Sequence, residues 1–123
     1  MTARPQFDEK KISPRALAAM STFQAEILNQ IATAIESNDV VVVGMAHNPF
    51  VKKARKALDV ASVKFTYLEY GNYFNSYTLR VAIKMWTGWP TFPQIFVKGV
   101  FIGGADDLLA EIAEGTFQKR LSK

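Results

Sequence analysis

Val40-Val41-Val42-Val43-Gly44-Met45 is the run that most narrows what this chain can become. Four β-branched side chains in succession resist helix, and the run is short enough for a strand buried on both faces. Such a strand sits inside a sheet covered by helices on each side, so the flanking segments have to supply amphipathic helices. Phe23, Ile27, Ile31 and Ile35 recur every four residues, with Leu28 and Ala34 beside them. That spacing predicts a helix beginning at Ser21, its cap, and ending in a left-handed turn at Asn38. On the other side Pro49 suits a first helical turn, and Phe50, Val51, Ala54, Ala57 and Leu58 line a second helical face.

Lys64 to Tyr70 alternates Phe65, Tyr67 and Glu69 against Thr66, Leu68 and Tyr70, a strand closed by Gly71, and Tyr77 to Trp86 is helical again through Leu79, Ala82 and Ile83. Gly88-Trp89-Pro90-Thr91-Phe92-Pro93 breaks the pattern. Gln94–Val97 and Val100–Ile102 then form a hairpin around the two-residue turn Lys98-Gly99, and Gly103-Gly104 opens a last helix through Leu108, Leu109, Ile112 and Ala113. The order predicts an α/β domain with a four-stranded mixed sheet: a right-handed βαβ unit, a hairpin, helices on both faces and an extra N-terminal helix. It resembles the thioredoxin fold. Residues 1–20, with Pro5, Pro14 and mixed charge, are expected to be a loosely ordered leader to a single domain over 21–123.

Composition removes whole classes of chemistry. There is no cysteine and one histidine. A disulfide, a thiolate nucleophile and a cysteine-ligated metal are therefore impossible, and no multi-histidine metal site can be assembled. The formal charge of +4 over 123 residues is compatible with an anionic partner, but the basic residues are too scattered for a nucleic-acid arm. No stretch approaches the roughly 18 to 20 apolar residues of a spanning helix, so no membrane partner is expected. The first residues lack an apolar signal region, and a cytoplasmic address is the expectation.

The second half carries a more specific likeness. Trp89-Pro90-Thr91-Phe92-Pro93-Gln94-Ile95-Phe96-Val97 through Gly103-Gly104-Ala105-Asp106 resembles the signature of the glutaredoxins, particularly the monothiol branch with its Trp-Pro pair. The likeness spans about residues 21 to 121. It implies a cis bond before Pro93 and a binding cleft for glutathione or an extended peptide, with Phe92 at the middle of the tripeptide. It also implies Gly104, Ala105 and Asp106 at the γ-glutamyl end, and Arg80 facing the glycine carboxylate. Free N–H groups at a helix start suit a carboxylate, and an aspartate suits an ammonium.

The departure from that family is as informative. Where its C-P-x-C motif stands, this chain has Asn48-Pro49-Phe50-Val51, followed by Lys52-Lys53-Ala54-Arg55-Lys56. Asn48 takes the nucleophile's place and Val51 that of the resolving cysteine. Met45, Ala46 and His47 replace the residues before the motif, where a basic side chain is usual, and Ala105 takes the place of a second cysteine. Thiol–disulfide exchange requires a sulfur nucleophile, so no catalytic residue is assigned and no iron–sulfur cluster is expected. Asn48 reads as a helix cap, His47 as a loop residue, and Trp86 and Trp89 as packing residues. The cations of 52–56, Lys52 first, crowd the positive end of their helix, which a negative ligand would relieve. The expected function is a redox-inactive glutaredoxin-like protein that keeps a glutathione- or peptide-binding cleft. The alternatives are a module that docks a protein partner on its cis-proline face, and an oxidoreductase in family name only.

Overall fold

A computed structural model of the chain describes residues 3–123. Helices α1 (Pro14–Thr22) and α2 (Ala25–Ser37) precede strand β1 (Val40–Gly44), helix α3 (Pro49–Val60) and strand β2 (Thr66–Glu69). Helix α4 (Tyr77–Thr87), strands β3 (Gln94–Val97) and β4 (Val100–Gly103), and helices α5 (Ala105–Glu114) and α6 (Thr116–Leu121) complete the chain. The sheet runs β2-β1-β3-β4. β1 is parallel to β2 and antiparallel to β3, and β3 and β4 form the hairpin. This is the mixed four-stranded sheet of a thioredoxin-like fold.

The valine run sits at its centre. Val40 and Val42 pack with Ala54, Leu58, Leu108 and Phe117, the layer of α3, α5 and α6. Val41 and Val43 point the other way, into Ile31, Ile83, Phe92 and Phe96. Each such side chain taken from water contributes roughly 1.5–3 kcal/mol, so this strand anchors both halves of the core. β2 and the residues flanking it divide in the same manner, with Phe65 on the first cluster and Leu68 and Tyr70 on the second, while Tyr67 touches both. The hairpin turns at Lys98 and Gly99, whose φ values of 52° and 81° are those that a two-residue primed turn requires.

The structure corrects two expectations at the level of local elements, the cap at Ser21 and the turn at Asn38. Pro14–Thr22 is a helix, and residue 21 lies inside it. Ser13 caps it by accepting from the Ala16 N–H, and Pro14 occupies its first turn. Ser21 caps nothing: its hydroxyl donates to the Leu17 carbonyl in the last turn of α1, and α2 begins four residues later, after Gln24 in a left-handed conformation. Asn38 is extended (φ −134°) because its amide spans two elements, donating to the Ala34 carbonyl and accepting from the Thr66 hydroxyl. Beyond α5, Gly115 at φ 82° breaks the chain into a further short helix whose Phe117 is fully buried. Among the described residues no helix is long and apolar enough to cross a membrane.

Candidate functional site

Three segments meet at one end of the sheet: the start of α3, the loop from Gly88 to Pro93, and the start of α5. Each is fixed by its own hydrogen bonds. At α3, the Asn48 side-chain oxygen accepts from the N–H groups of Phe50 (2.9 Å) and Val51 (3.1 Å), two of the donors that a helix start leaves unpaired. Val51 is buried in the core, whereas the Phe50 ring is more than half exposed. Met45 is buried with the α2–α4 layer, so no cation enters the site from before the motif. His47 is exposed, at φ 62°.

The basic run is partly spoken for. Lys53 pairs with Asp106 at 3.1 Å across the gap to α5. Arg55 lies 4.0 Å from the centre of the Tyr67 ring. The Tyr67 hydroxyl donates to Glu69, and burial first, then Glu69, pushes its pKa up to about 12. Lys52 and Lys56, both exposed, have no acidic partner among the described residues.

The loop from Gly88 to Pro93 hangs on Gln94, whose side chain is wholly buried. Its carbonyl oxygen accepts from the Thr87 hydroxyl at 2.7 Å, and its amide donates to the carbonyls of Trp89 (3.1 Å) and Thr91 (3.4 Å). The Trp89 ring stands edge-on to Phe101, with centroids 5.4 Å apart. The Phe92–Pro93 peptide is cis. The Phe92 ring is buried against Val43 and Ile83, and the Lys84 ammonium lies 5.6 Å from its centroid. Neither the N–H nor the C=O of Phe92 has a hydrogen-bond partner among the described residues.

At α5, Gly103 has φ 111°, and a side chain there would run into the Asp107 carboxylate. That carboxylate accepts from the Gly104 N–H at 2.9 Å, which leaves the N–H groups of Ala105, Asp106 and Asp107 as the open donors of the helix start, Ala105 and Asp106 being the first two. Asp106 itself is exposed.

Together these segments enclose a cleft of about 210 Å³, lined by Phe50, Trp89, Thr91, Phe92, Pro93, Gly104, Ala105, Asp106 and Asp107. Of the residues singled out from sequence, Phe50, Phe92, Pro93, Gly104, Ala105 and Asp106 are brought together here. Asn48 and Pro49 open the adjoining helix, Val51 belongs to the core, and Lys52 lies on the exposed face of α3. Arg80 is not at the cleft. It is buried, and its guanidinium donates to the carbonyls of Tyr70 and Asn75, holding the loop between them. Sequence reasoning missed Lys84, over the Phe92 ring, and Gln94, which holds the loop. Only for Lys84, one helical turn beyond Arg80, did the spacing hold a signal.

The glutaredoxin family model matches residues 40–102, just over half of the chain. The chain belongs to the glutaredoxin family. Among its relatives, a glutaredoxin-like protein of Dictyostelium discoideum is 47% identical over 104 residues, which is 85% of each chain. Oxidized glutaredoxin 2 of Chlamydomonas reinhardtii, a solved structure, is 34% identical with a TM-score of 0.70, covering 80% of this chain and 94% of that one. A buckwheat glutaredoxin solved as a complex with glutathione shares the fold at 22% identity, with a TM-score of 0.71 over 80% of this chain and 89% of its own. This glutaredoxin differs from the motif of its family at the reacting atom. The residues at the family's sulfur positions are an amide that caps a helix and a buried valine. Neither supplies a thiolate, so the residues present fit neither thiol exchange nor a protein-ligated iron–sulfur cluster.

Proposed function

We propose that this protein is a ligand-binding glutaredoxin without thiol chemistry, whose cleft takes glutathione or a related γ-glutamyl peptide. One observation carries the reading: in a chain with no cysteine, the cleft beside α3 still offers unpaired main-chain groups at Phe92, Ala105 and Asp106 next to the Asp106 carboxylate. An extended peptide can pair with the N–H and C=O of Phe92 as a short added strand. A carboxylate at its γ-glutamyl end suits the N–H groups of Ala105 and Asp106, where the helix dipole adds up to about 1 kcal/mol. The ligand's ammonium would meet Asp106 by displacing Lys53, an exposed pair worth about 0–1 kcal/mol. The glycine carboxylate falls to Lys84 in this reading, since Arg80 is occupied by loop carbonyls.

Titration of the labelled protein with glutathione tests this. The amide signals of Phe92, Ala105 and Asp106 are expected to move together on one saturation curve, and Asp106→Asn is expected to weaken binding about tenfold. Unmoved amides at millimolar glutathione would remove the reading.

One observation favours the second reading, a protein-docking face. The loop that Arg80 secures carries Tyr73 and Phe74 into solvent, with Phe74 96% exposed and Tyr77 exposed next to it at the start of α4, and its Gly71 carbonyl accepts from the Ala46 N–H beside the site. The glutathione titration separates the two, because that loop should stay unperturbed by a tripeptide held at Phe92.

A further inference from the structure

α3 and α5 pack side by side, and between them runs a groove of about 460 Å³. Its apolar lining is Ala57, Val60, Ala61, Leu109 and Ile112. Ala57 and Ile112 rest on the core, whereas Ala61 is exposed and Val60 is 76% exposed. One exposed valine is ordinary, but five apolar residues from two helices around one recess mark an interaction surface. Helix propensity does not account for Val60 either, because a β-branched residue near the end of α3 is a poorer helix former than alanine or lysine. The remaining lining is basic, Lys53 and Lys56. α3 carries Lys52, Lys53, Arg55 and Lys56 against one carboxylate, Asp59. The carboxylates of α5 do not neutralise the groove. Asp106 pairs with Lys53, Asp107 accepts from the Gly104 N–H, and Glu111 pairs with Arg120. Asp59 and Glu114 have no cationic partner among the described residues, and both lie outside the lining. Lys56 thus stands at the edge of an apolar recess with no acidic partner among the described residues.

We propose that this groove docks an amphipathic helix of a partner protein, apolar on its docking face and acidic along the flanks. The apolar lining takes side chains spaced i, i+3, i+4 and i+7 on that helix. Lys56 takes a flanking carboxylate directly. Lys53 takes another by exchanging its exposed pair with Asp106, which contributes little. α3 has 12 residues and is about 18 Å long, so about three turns of partner helix fill the groove. A second copy related by a twofold axis would set Lys53 and Lys56 against their own counterparts, which charge opposes. A flat lipid surface would not reach the half-buried Ala57, Leu109 and Ile112. The inference is independent of the glutathione reading, since the groove and the cleft share no lining residue.

The probe is a fluorescent synthetic peptide of about 14 residues with leucine at the four docking positions, glutamate on the flanks and glutamine on the outer face. Its twin carries lysine in place of glutamate. By anisotropy in low salt, the acidic peptide is expected to bind with a Kd below about 100 µM and the basic twin at least about tenfold more weakly. Val60→Glu and Lys56→Glu alter exposed side chains, so both variants stay folded. Val60→Glu should weaken the acidic peptide about tenfold. Lys56→Glu should weaken it as much and narrow the preference for it over the twin. In the labelled protein the amides of Lys56, Ala57, Ala61 and Leu109 should move on binding while that of Phe92 stays still. Equal affinity for the two peptides, no binding at millimolar concentration, or shifts centred on Tyr73 and Phe74 would overturn the proposal. So would self-association, or retention on phosphatidylserine vesicles, that Val60→Glu abolishes, because the occupant would then be a second copy or a membrane.

Discussion

Asn48→Cys is expected to convert this protein from background turnover to glutathione-dependent reduction of mixed disulfides. The introduced sulfur stands one bond nearer the backbone than the Asn48 oxygen that accepts from the N–H groups of Phe50 and Val51, still at the helix start, where those donors would stabilise a thiolate. Lys52, in the first turn and without an acidic partner among the described residues, adds positive charge. The thiol should therefore titrate below its ordinary value of about 8.5. It attacks the glutathione sulfur of a mixed disulfide, releasing the other thiol as its thiolate. A second glutathione thiolate then attacks the protein-bound glutathione, regenerating the protein thiolate and leaving glutathione disulfide. Loss of the amide cap should reduce stability by only about 1 kcal/mol, so the variant stays folded. A folded variant whose thiol titrates at its ordinary value and that shows no turnover would mean that Met45, Ala46 and His47 have reshaped the loop beyond repair.

Gln94→Leu should destabilise the protein by about 2–4 kcal/mol although leucine approximates the shape of the side chain it replaces. The substitution leaves the carbonyls of Trp89 and Thr91 without the amide that now satisfies them, and the Thr87 hydroxyl with only the Ile83 carbonyl and the Trp89 N–H. Urea unfolding should show a lowered midpoint with an unchanged slope, the signature of lost stability rather than a changed denatured state. Because the same bonds hold the loop from Gly88 to Pro93 in place, glutathione affinity should fall as well. A loss under about 0.5 kcal/mol, the range of an inconsequential surface change, would contradict the role assigned to Gln94.

The elements that could be read from sequence are those whose local chemistry agrees with their packing. The valine run, Pro49 in the first turn of α3 and the Lys98-Gly99 turn each carry a short-range signal, and the sheet uses all three as expected. α1 escaped notice because none of its residues is buried and its apolar side chains form no stripe; Ser13-Pro14 at its start was the usable sign. Asn38 went astray because a contact with Thr66, distant in sequence, outweighs its own turn preference. In the site, Trp89, Phe92, Pro93 and Gly104 to Asp106 line one cleft, whereas Arg80 lies away from it. Spacing from Trp89 cannot reveal that the carbonyls of Tyr70 and Asn75 capture the guanidinium.

A ligand kept by main-chain donors and Asp106 makes no use of sulfur on either side. Calorimetry of the wild-type protein with glutathione and with S-methylglutathione addresses this directly. Equal affinities, within about twofold, are the predicted result. Abolition of binding by the methyl group, or no heat with either compound, would contradict it.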